Sequence, residues 1–196
     1  MFPDLTRDDV FRLETRRLWL RWPRHADSQA MVRLAGEKAV AEMTAHVPHP
    51  YPPEEAARFV LAARKANAEG RGLDLAVTPK RNPNGLVGMV GIREGEDGPH
   101  LGYWIGSPSW GQGFATEGAR ALLDHAFGTV GLSRIWAETM SVNHGSRGVL
   151  GKLGFRLIHM YVGTWDDPLP GWERGELVYE ITRPEWRSPA ARRDPA

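Results

Sequence analysis

Polar and apolar residues alternate along residues 16–22, and this period of two predicts a half-buried strand, while six further short stretches are also predicted to be strands. The strands are expected at residues 16–22, 73–78, 85–92, 100–105, 134–140, 155–162 and 175–182. Capping residues and a period near 3.6 predict helices at about residues 28–35, 53–69, 115–127 and 143–154. This order of elements predicts an α/β fold of the α+β type, in which a single mixed, mostly antiparallel sheet carries helices on both faces. Strands 100–105 and 134–140 flank a helix, so we expect them to form one central parallel pair.

Composition limits the classes of function. The 196 residues are 41% hydrophobic, which supports one packed domain at residues 1–186, followed by a polar, flexible tail at residues 187–196. The net charge of +1 argues against a nucleic-acid or membrane surface. Cysteine is absent and no apolar leader opens the chain, so a cytoplasmic location is expected. His46 and His49 lie close together without a suitably spaced third ligand, so no metal site is predicted.

Glycines cluster directly before the helix at residues 115–127. Gly111, Gly113 and the small Ala115 leave the unpaired N–H groups of the helix start open, as an anion such as phosphate requires. A triphosphate loop is excluded because no lysine follows the glycines. A dinucleotide fingerprint would need a third glycine where Thr116 stands, and more than one βαβ unit. That interpretation remains an alternative, as does a tight connection that binds nothing.

Three motifs together resemble the GNAT superfamily of N-acetyltransferases, and in particular its ribosomal-protein-alanine (Rim-type) branch. They are LGYWI at residues 101–105, WGQGFATE at residues 110–117 and NxxSxxxLxKLGF at residues 143–155. Segments 13–21 and 177–186 resemble the same branch, so the resemblance extends over roughly residues 13 to 186. It implies that acetyl-coenzyme A (acetyl-CoA), as co-substrate, lies between the two parallel strands, splayed apart to hold it.

The resemblance also implies which residues bind the co-substrate. Backbone groups near Trp104 and Ile105 would pair with the pantetheine arm, and N–H groups of residues 111–116 would hold the diphosphate. Trp110 stands where the family often has a polar residue. Asn143 would cap its helix and still meet the pantetheine amide. The full set is Trp104, Ile105, Trp110, Gly111, Gln112, Gly113, Phe114, Ala115, Thr116, Asn143 and Ser146.

The catalytic groups are less evident. Many family members carry a tyrosine as the acid for the leaving thiolate, and Leu150 occupies that position here. Ser146 stands where the Rim-type branch has a serine near the sulfur, so either it donates a hydrogen bond to the thiolate or it only helps to cap the helix. The candidates for the general base are Glu138, His100 and the pair Asp166 and Asp167, of which we select Asp166.

Three further residue groups complete the expectations. Glu117 is expected to have a structural role at its helix start. The loop at residues 50–53, with Trp165 and Trp172, either forms the acceptor pocket or is ordinary hydrophobic cover. Gly148 and Gly151 weaken the helix at residues 143–154 without an evident reason.

The sequence therefore predicts an acetyl-CoA-dependent N-acetyltransferase that transfers the acetyl group directly to an amine within a ternary complex. The acceptor is either a small-molecule amine or a peptide amine, and no nucleic acid or membrane is expected as a partner. A homodimer remains open. A non-catalytic acetyl-CoA sensor is the main alternative, because Leu150 replaces the usual acid.

Overall fold

The computed structural model describes residues 11–44, 47–95, 97–162 and 175–187, which form one eight-stranded sheet flanked by helices. The strand order across the sheet is β1-β2-β3-β4-β5-β6-β8-β7. The strands are β1 Arg12–Glu14, β2 Leu18–Arg21, β3 Gly72–Pro79, β4 Gly88–Gly95, β5 Gly98–Ile105, β6 Arg134–Met140, β7 Arg156–Tyr161 and β8 Glu176–Thr182. The helices are α1 Ser28–Leu34, α2 Lys38–Ala41, α3 Pro53–Ala68, α4 Phe114–His125, α5 His144–Leu153 and α6 Arg183–Arg187.

The alternation of side chains on β3 shows how the sheet separates two cores. Leu75 and Val77 point to one face, where they join the large cluster that α4, α5 and α6 cover. Ala76 points to the other face, into a smaller cluster with Met31 of α1 and Val60 of α3. Helices therefore cover both faces of the sheet, as predicted.

β5 and β6 form the parallel pair of the sheet, and they separate soon after they meet. His100 and Trp136, near the start of each strand, are their paired residues. The neighbouring antiparallel pairs are regular over most of their length, from Gly88↔Ile105 to Gly95↔Gly98 in the case of β4 and β5. The ends of β5 and β6 that follow the pairing point are therefore splayed apart.

Four predictions of local structure need correction. The sequence analysis did not predict β1, whose three residues are too few to show a period, so the sheet has eight strands and not seven. The four-residue helix α2 was also not predicted. β4 begins at Gly88 and not at residue 85. Arg187, assigned to the tail, is the last residue of α6. Among the described residues, no helix is both long enough and apolar enough to cross a bilayer.

Candidate active site

A cleft of about 1470 Å³ passes through the sheet where β5 and β6 separate. On one side it is lined by the glycine segment before α4 and by the first turns of α5. On the other side it extends beneath α1, α2 and the start of α3. Its volume exceeds the 300–1,000 Å³ that is typical of small-ligand pockets, so it has room for two ligands that meet at the gap.

The glycine segment meets the conditions for anion binding that its sequence predicted. Gly111 and Gly113 have φ values of +72° and +77°, a left-handed conformation that other residues adopt only with strain. α4 begins directly afterwards at Phe114, and no side chain caps its first N–H groups. In the described part of the chain, none of the backbone N–H groups of residues 111–116 has a protein acceptor. All of these residues except Gln112 line the cleft, so their N–H groups are available to a ligand, and the Gln112 side chain donates to the Pro108 carbonyl at 3.3 Å.

Arg17 brings a positive charge to this segment from the distant connection between β1 and β2. A Cβ placed on Gly113 would lie 3.4 Å from Nη2 of Arg17, and the guanidinium carbon lies 4.9 Å from the ring centre of Phe114. A second cavity of about 550 Å³, lined by Arg17 among others, shares Gly113 and Thr116 with the main cleft. The glycine segment contains no cationic residue of its own, and the fold places Arg17 beside it.

Glu117 holds Arg17 in place. Its carboxylate accepts hydrogen bonds from the Thr15 hydroxyl at 2.7 Å, from the Arg17 backbone N–H at 2.8 Å and from Arg17 Nε at 2.6 Å. Burial acts to raise the pKa of Glu117, but the hydrogen bonds from Thr15 and Arg17 outweigh it, so the pKa is lowered. Glu117 is thus an ionised structural anchor at the start of α4, as expected.

The backbone of β5 turns alternate groups towards the gap. The Gly106 N–H donates to the Val87 carbonyl at 2.9 Å, and hydrogen-bonded pairs alternate along antiparallel strands. Trp104 therefore bonds towards β4, whereas Tyr103 and Ile105 face the gap. The Ile105 carbonyl already accepts a hydrogen bond from Nε1 of Trp110 at 2.6 Å. The side chain of Trp110 thus closes one end of the strand beside the cleft.

Ser146 and Tyr103 form a pair of hydroxyl groups on the α5 side of the cleft. Their oxygen atoms lie 2.9 Å apart, and the Tyr103 hydroxyl also lies 3.1 Å from the Ser146 carbonyl oxygen, to which it can donate. Asn143 caps α5 by accepting the Ser146 N–H at 3.0 Å. Burial strongly raises the pKa of Tyr103, so its phenol stays protonated. The Ser146 backbone N–H is therefore occupied by the Asn143 cap, whereas the hydroxyl groups of Ser146 and Tyr103 line the cleft.

The middle of α5 carries Leu150 at the position where the resemblance implies a tyrosine acid. Leu150 is fully buried in the core cluster and is also one of the residues that line the cleft. A Cβ added to Gly148 or to Gly151 would meet no atom within 4 Å. Gly148 lines the cleft and Gly151 does not. The two glycines therefore have different surroundings although their helix positions are similar.

Two carboxylates line the cleft from β6 and β8. Glu138 lies on the face opposite the buried Ala137, and Glu176 on the neighbouring strand lies on the same face, since Leu177 joins the core. Burial, and next the charge of Glu138, raise the pKa of Glu176. His100 also lines the cleft.

Several predicted positions lie outside the described residues. These are Asp166, Asp167, Trp165 and Trp172, together with His46. Within the Pro-rich loop, Tyr51 is half-buried and lines the cleft. His49 uses Nδ1 to contact the Gly36 carbonyl at 2.7 Å, a structural role.

The sequence of the chain matches a known protein family. Residues 17–156 match the model of the acetyltransferase (GNAT) domain. The chain belongs to the GNAT acetyltransferase family. The predicted family and its class of enzyme, an acetyltransferase, are confirmed, and acetyl-CoA as co-substrate agrees with that family. The chain spans 38% to 64% of the length of the first four curated relatives that it matches.

Individual relatives show where the similarity is strongest. The chain is 40% identical over 90 residues to the FsC-acetyl coenzyme A-N(2)-transacetylase of Aspergillus fumigatus. The aligned residues are 46% of this chain and 38% of that protein. It is 27% identical over 178 residues to the uncharacterized N-acetyltransferase YnaD of Bacillus subtilis, covering 89% and 98% of the two chains.

One solved structure supports the Rim-type branch. Mycobacterium smegmatis RimJ in complex with CoA-disulfide superposes with a TM-score of 0.74 at 26% identity, covering 89% of this chain and 86% of that one. This similarity supports the branch predicted from the three motifs.

Sequence inspection missed three residues of the site. Arg17 lies almost a hundred positions from the glycine segment, and nothing in the local pattern connects the two. Tyr103 stands inside the LGYWI motif, but only the packing of α5 against β5 shows its contact with Ser146. Glu176 opens β8 and pairs with Met140, and only this register shows that it lies on the same face as Glu138, two residues along β6.

Proposed function

We propose that this protein transfers the acetyl group of acetyl-CoA to a primary amine, a small molecule or a peptide, by direct attack within a ternary complex. The observation that carries the proposal is the continuity of the cleft: free N–H donors of residues 111–116 open into the same space that passes the splayed strands and ends beneath α1 and α3. Two substrates bound from opposite faces of the sheet would meet at the gap.

The co-substrate fits the residues on the α4 and α5 side. The N–H groups of residues 111–116 hold the diphosphate, and Arg17 adds a charged donor beside Gly113. The gap-facing backbone groups of Tyr103 and the Ile105 N–H pair with the pantetheine arm. Trp104, expected to pair with the pantetheine arm through its backbone, bonds towards β4 instead, and its side chain lies on the opposite face of the sheet, against the smaller cluster. When bound, acetyl-CoA supplies an acetyl group activated as a thioester.

Ser146 and Tyr103 stabilise the departing sulfur in this proposal. The Tyr103 and Ser146 hydroxyl groups share a hydrogen bond, and when the Tyr103 proton goes to Ser146 Oγ rather than to the Ser146 carbonyl, the serine proton is free to point at the sulfur. The sulfur stands on the α5 side of the sheet, where both hydroxyl groups line the cleft. Because Tyr103 stays protonated, it acts by orienting Ser146 and not by giving up its own proton.

Deprotonation of the acceptor uses the carboxylates on the opposite face. Burial and the neighbouring charge raise the pKa of Glu176, which makes it a better proton acceptor than an ordinary carboxylate. The amine nitrogen then bonds to the carbonyl carbon while the carbon–sulfur bond breaks. One amine proton leaves through Glu138 or Glu176 to solvent, and the other ends on the sulfur. Asp166 remains a predicted alternative base.

The remaining predictions are consistent with this function. The match to the GNAT domain argues against the dinucleotide-binding alternative, and the splayed parallel strands β5 and β6 agree with that domain. A cytoplasmic location remains a prediction from the absence of cysteine, and a homodimer remains open.

Two measurements test the proposal. Calorimetry with acetyl-CoA should show binding to the native protein and none to the variant Ala115→Asp, which sets a carboxylate against the diphosphate at the start of α4. Thiol release from acetyl-CoA should then accelerate when a panel of primary amines is added. Binding without amine-dependent release would favour the sensor, and unchanged binding by Ala115→Asp would show that the diphosphate lies elsewhere.

A further inference from the structure

Arg93 on β4 is held rigidly at the wall of the cleft beneath α3. Its Nε donates to both carboxylate oxygens of Asp74, at 2.9 and 2.8 Å. Asp74 is buried, and the Asn67 side chain fixes its backbone with hydrogen bonds of 2.7 and 2.9 Å. The anchor of Arg93 is therefore itself fixed, which orients the guanidinium before any ligand arrives.

The distal nitrogens of Arg93 remain available. The guanidinium carbon lies 5.1 Å from the ring centre of Phe59, so an aromatic face also supports the group. Within the described ranges, no hydrogen-bond acceptor contacts either Nη atom of Arg93. The residue lines the cleft, and its side chain is 49% exposed. A guanidinium that is fixed through Nε and open at both Nη atoms matches the two oxygens of a carboxylate.

Two glycines, Gly91 and Gly102, lie beside this donor on the face of the sheet that forms the floor of the cleft. Asp74 pairs with Gly91, and Gly91 pairs with Gly102 on the next strand. A Cβ on Gly91 would lie 2.3 Å from Oδ1 of Asp74, so glycine is required for the carboxylate to reach across β4. A Cβ on Gly102 would meet nothing within 4 Å, so the floor next to the gap is open. No side chain at position 91 or 102 therefore stands between Arg93 and the gap.

The residues on the other walls of the cleft indicate which groups the rest of the ligand would carry. Glu138 and Glu176 lie across the gap, on the same face of the sheet as Arg93, and attract an ammonium group. The roof is apolar, with Met31, Met43 and Phe59 among its lining residues. One wall therefore suits a carboxylate, the opposite wall an amine, and the roof a hydrocarbon or thioether side chain.

We propose that the acceptor is a free α-amino acid with an apolar side chain, whose carboxylate binds Arg93 while its amine faces the gap. This inference rests on the proposed acetyl transfer and names its substrate class. A protein N-terminus has no carboxylate next to its terminal amine and would leave Arg93 without its charged partner. Discrimination between a free acid and its amide is therefore the property to measure.

The experiment uses three matched series built on methionine, leucine and phenylalanine. Each series contains the free amino acid, its amide and the corresponding decarboxylated amine. Thiol release gives kcat/KM, and calorimetry on the CoA-saturated protein gives binding without chemistry. The free acid should be preferred to the amide by about ten-fold or more in at least one series, as expected for a charge-assisted contact.

Variants assign the preference to Arg93. Arg93→Met should bring the ratio of acid to amide close to one, whereas Arg93→Lys should retain part of it. Arg71, whose exposed side chain pairs with Glu69 away from the cleft, gives the control Arg71→Met, which should keep the full preference. Asp74→Asn combined with Arg93→Met avoids leaving a buried carboxylate unpaired and should behave like Arg93→Met.

The outcomes separate the two proposals. Equal or better use of the amides by the native protein, a preference that survives Arg93→Met, or no binding by any series overturns the amino-acid inference. Selective binding of the free acids without acetyl transfer supports the carboxylate site and contradicts the proposed function instead.

Discussion

Arg17 offers the most direct test of how the glycine segment binds the co-substrate. Its Nη2 lies beside Gly113 and its guanidinium carbon lies over the Phe114 ring, so replacing it by methionine removes the charged donor and keeps an unbranched apolar side chain. A hydrogen bond to a charged group contributes about 1.5–3 kcal/mol, and the partial exposure of Arg17 argues for the lower end of that range. Since each 1.4 kcal/mol corresponds to a factor of ten, the Kd for CoA should rise about ten-fold.

The assay must separate charge from structure. Thr15 also donates to Glu117, so Thr15→Val disturbs the same anchor without removing the cation. It should leave the Kd for CoA within about two-fold, because Arg17 keeps its own two hydrogen bonds to the Glu117 carboxylate. Dephospho-CoA keeps the diphosphate and lacks the 3′-phosphate, and pantetheine lacks both. Arg17→Met should weaken CoA and dephospho-CoA equally and leave pantetheine unaffected.

Salt gives an independent readout. Screening lengths fall from about 10 Å at 0.1 M to about 3 Å at 1 M, so added salt should weaken CoA binding by the native protein more than by Arg17→Met. If Arg17→Met binds CoA as tightly as the native protein, or no more weakly than Thr15→Val does, Arg17 does not contact the diphosphate. Loss of CoA affinity alone, with dephospho-CoA unaffected, would move the contact to the 3′-phosphate.

The remaining predictions concern α5 and the β5 residue Tyr103 that contacts it. Gly151→Ala should raise stability by about 0.5–1 kcal/mol, because the added methyl group meets no neighbour and helix propensity improves; thermal unfolding measures this. Gly148→Ala should give a similar gain but weaken acetyl-CoA binding, since Gly148 lines the cleft; equal affinities for the two variants would show that this face of α5 does not meet the co-substrate. Ser146→Ala and Tyr103→Phe should each lower kcat by about ten-fold or more with KM for acetyl-CoA nearly unchanged, as for a lost transition-state donor. If Tyr103 acts through Ser146, the double variant should be no slower than Ser146→Ala, and additive losses would contradict that relation.

The parts of the fold that the sequence predicted are those with a strong local signal. Helix α3 begins with proline and two glutamates and ends before Gly70, so both of its ends were predictable. The three residues of β1 cannot show a period, and their strand is defined only by pairing with Leu20 and its neighbours on β2. Local pattern therefore determines the long elements, and tertiary pairing determines the short ones.

The candidate site divides in the same way. The N–H donors of residues 111–116 depend on backbone conformation, which glycine spacing reveals. Arg17, Tyr103 and Arg93 act through contacts between distant segments, for which a single sequence contains no periodic signal. The acceptor side depends almost entirely on such contacts, which explains why the sequence predicted the co-substrate but left the acceptor open.

Glu117 connects the stability of the fold with the openness of the site. An acid in the first turn of a helix often folds back onto the free N–H groups there and would compete with a bound phosphate. Here three donors from Thr15 and Arg17 turn the carboxylate towards the β1–β2 connection, so the N–H groups of α4 stay free. Combining Thr15→Val with Arg17→Met releases the carboxylate from two of those donors and permits that competition. CoA affinity should then fall by more than the product of the two single effects, whereas a merely multiplicative loss would mean that Glu117 stabilises the fold without keeping the phosphate site open.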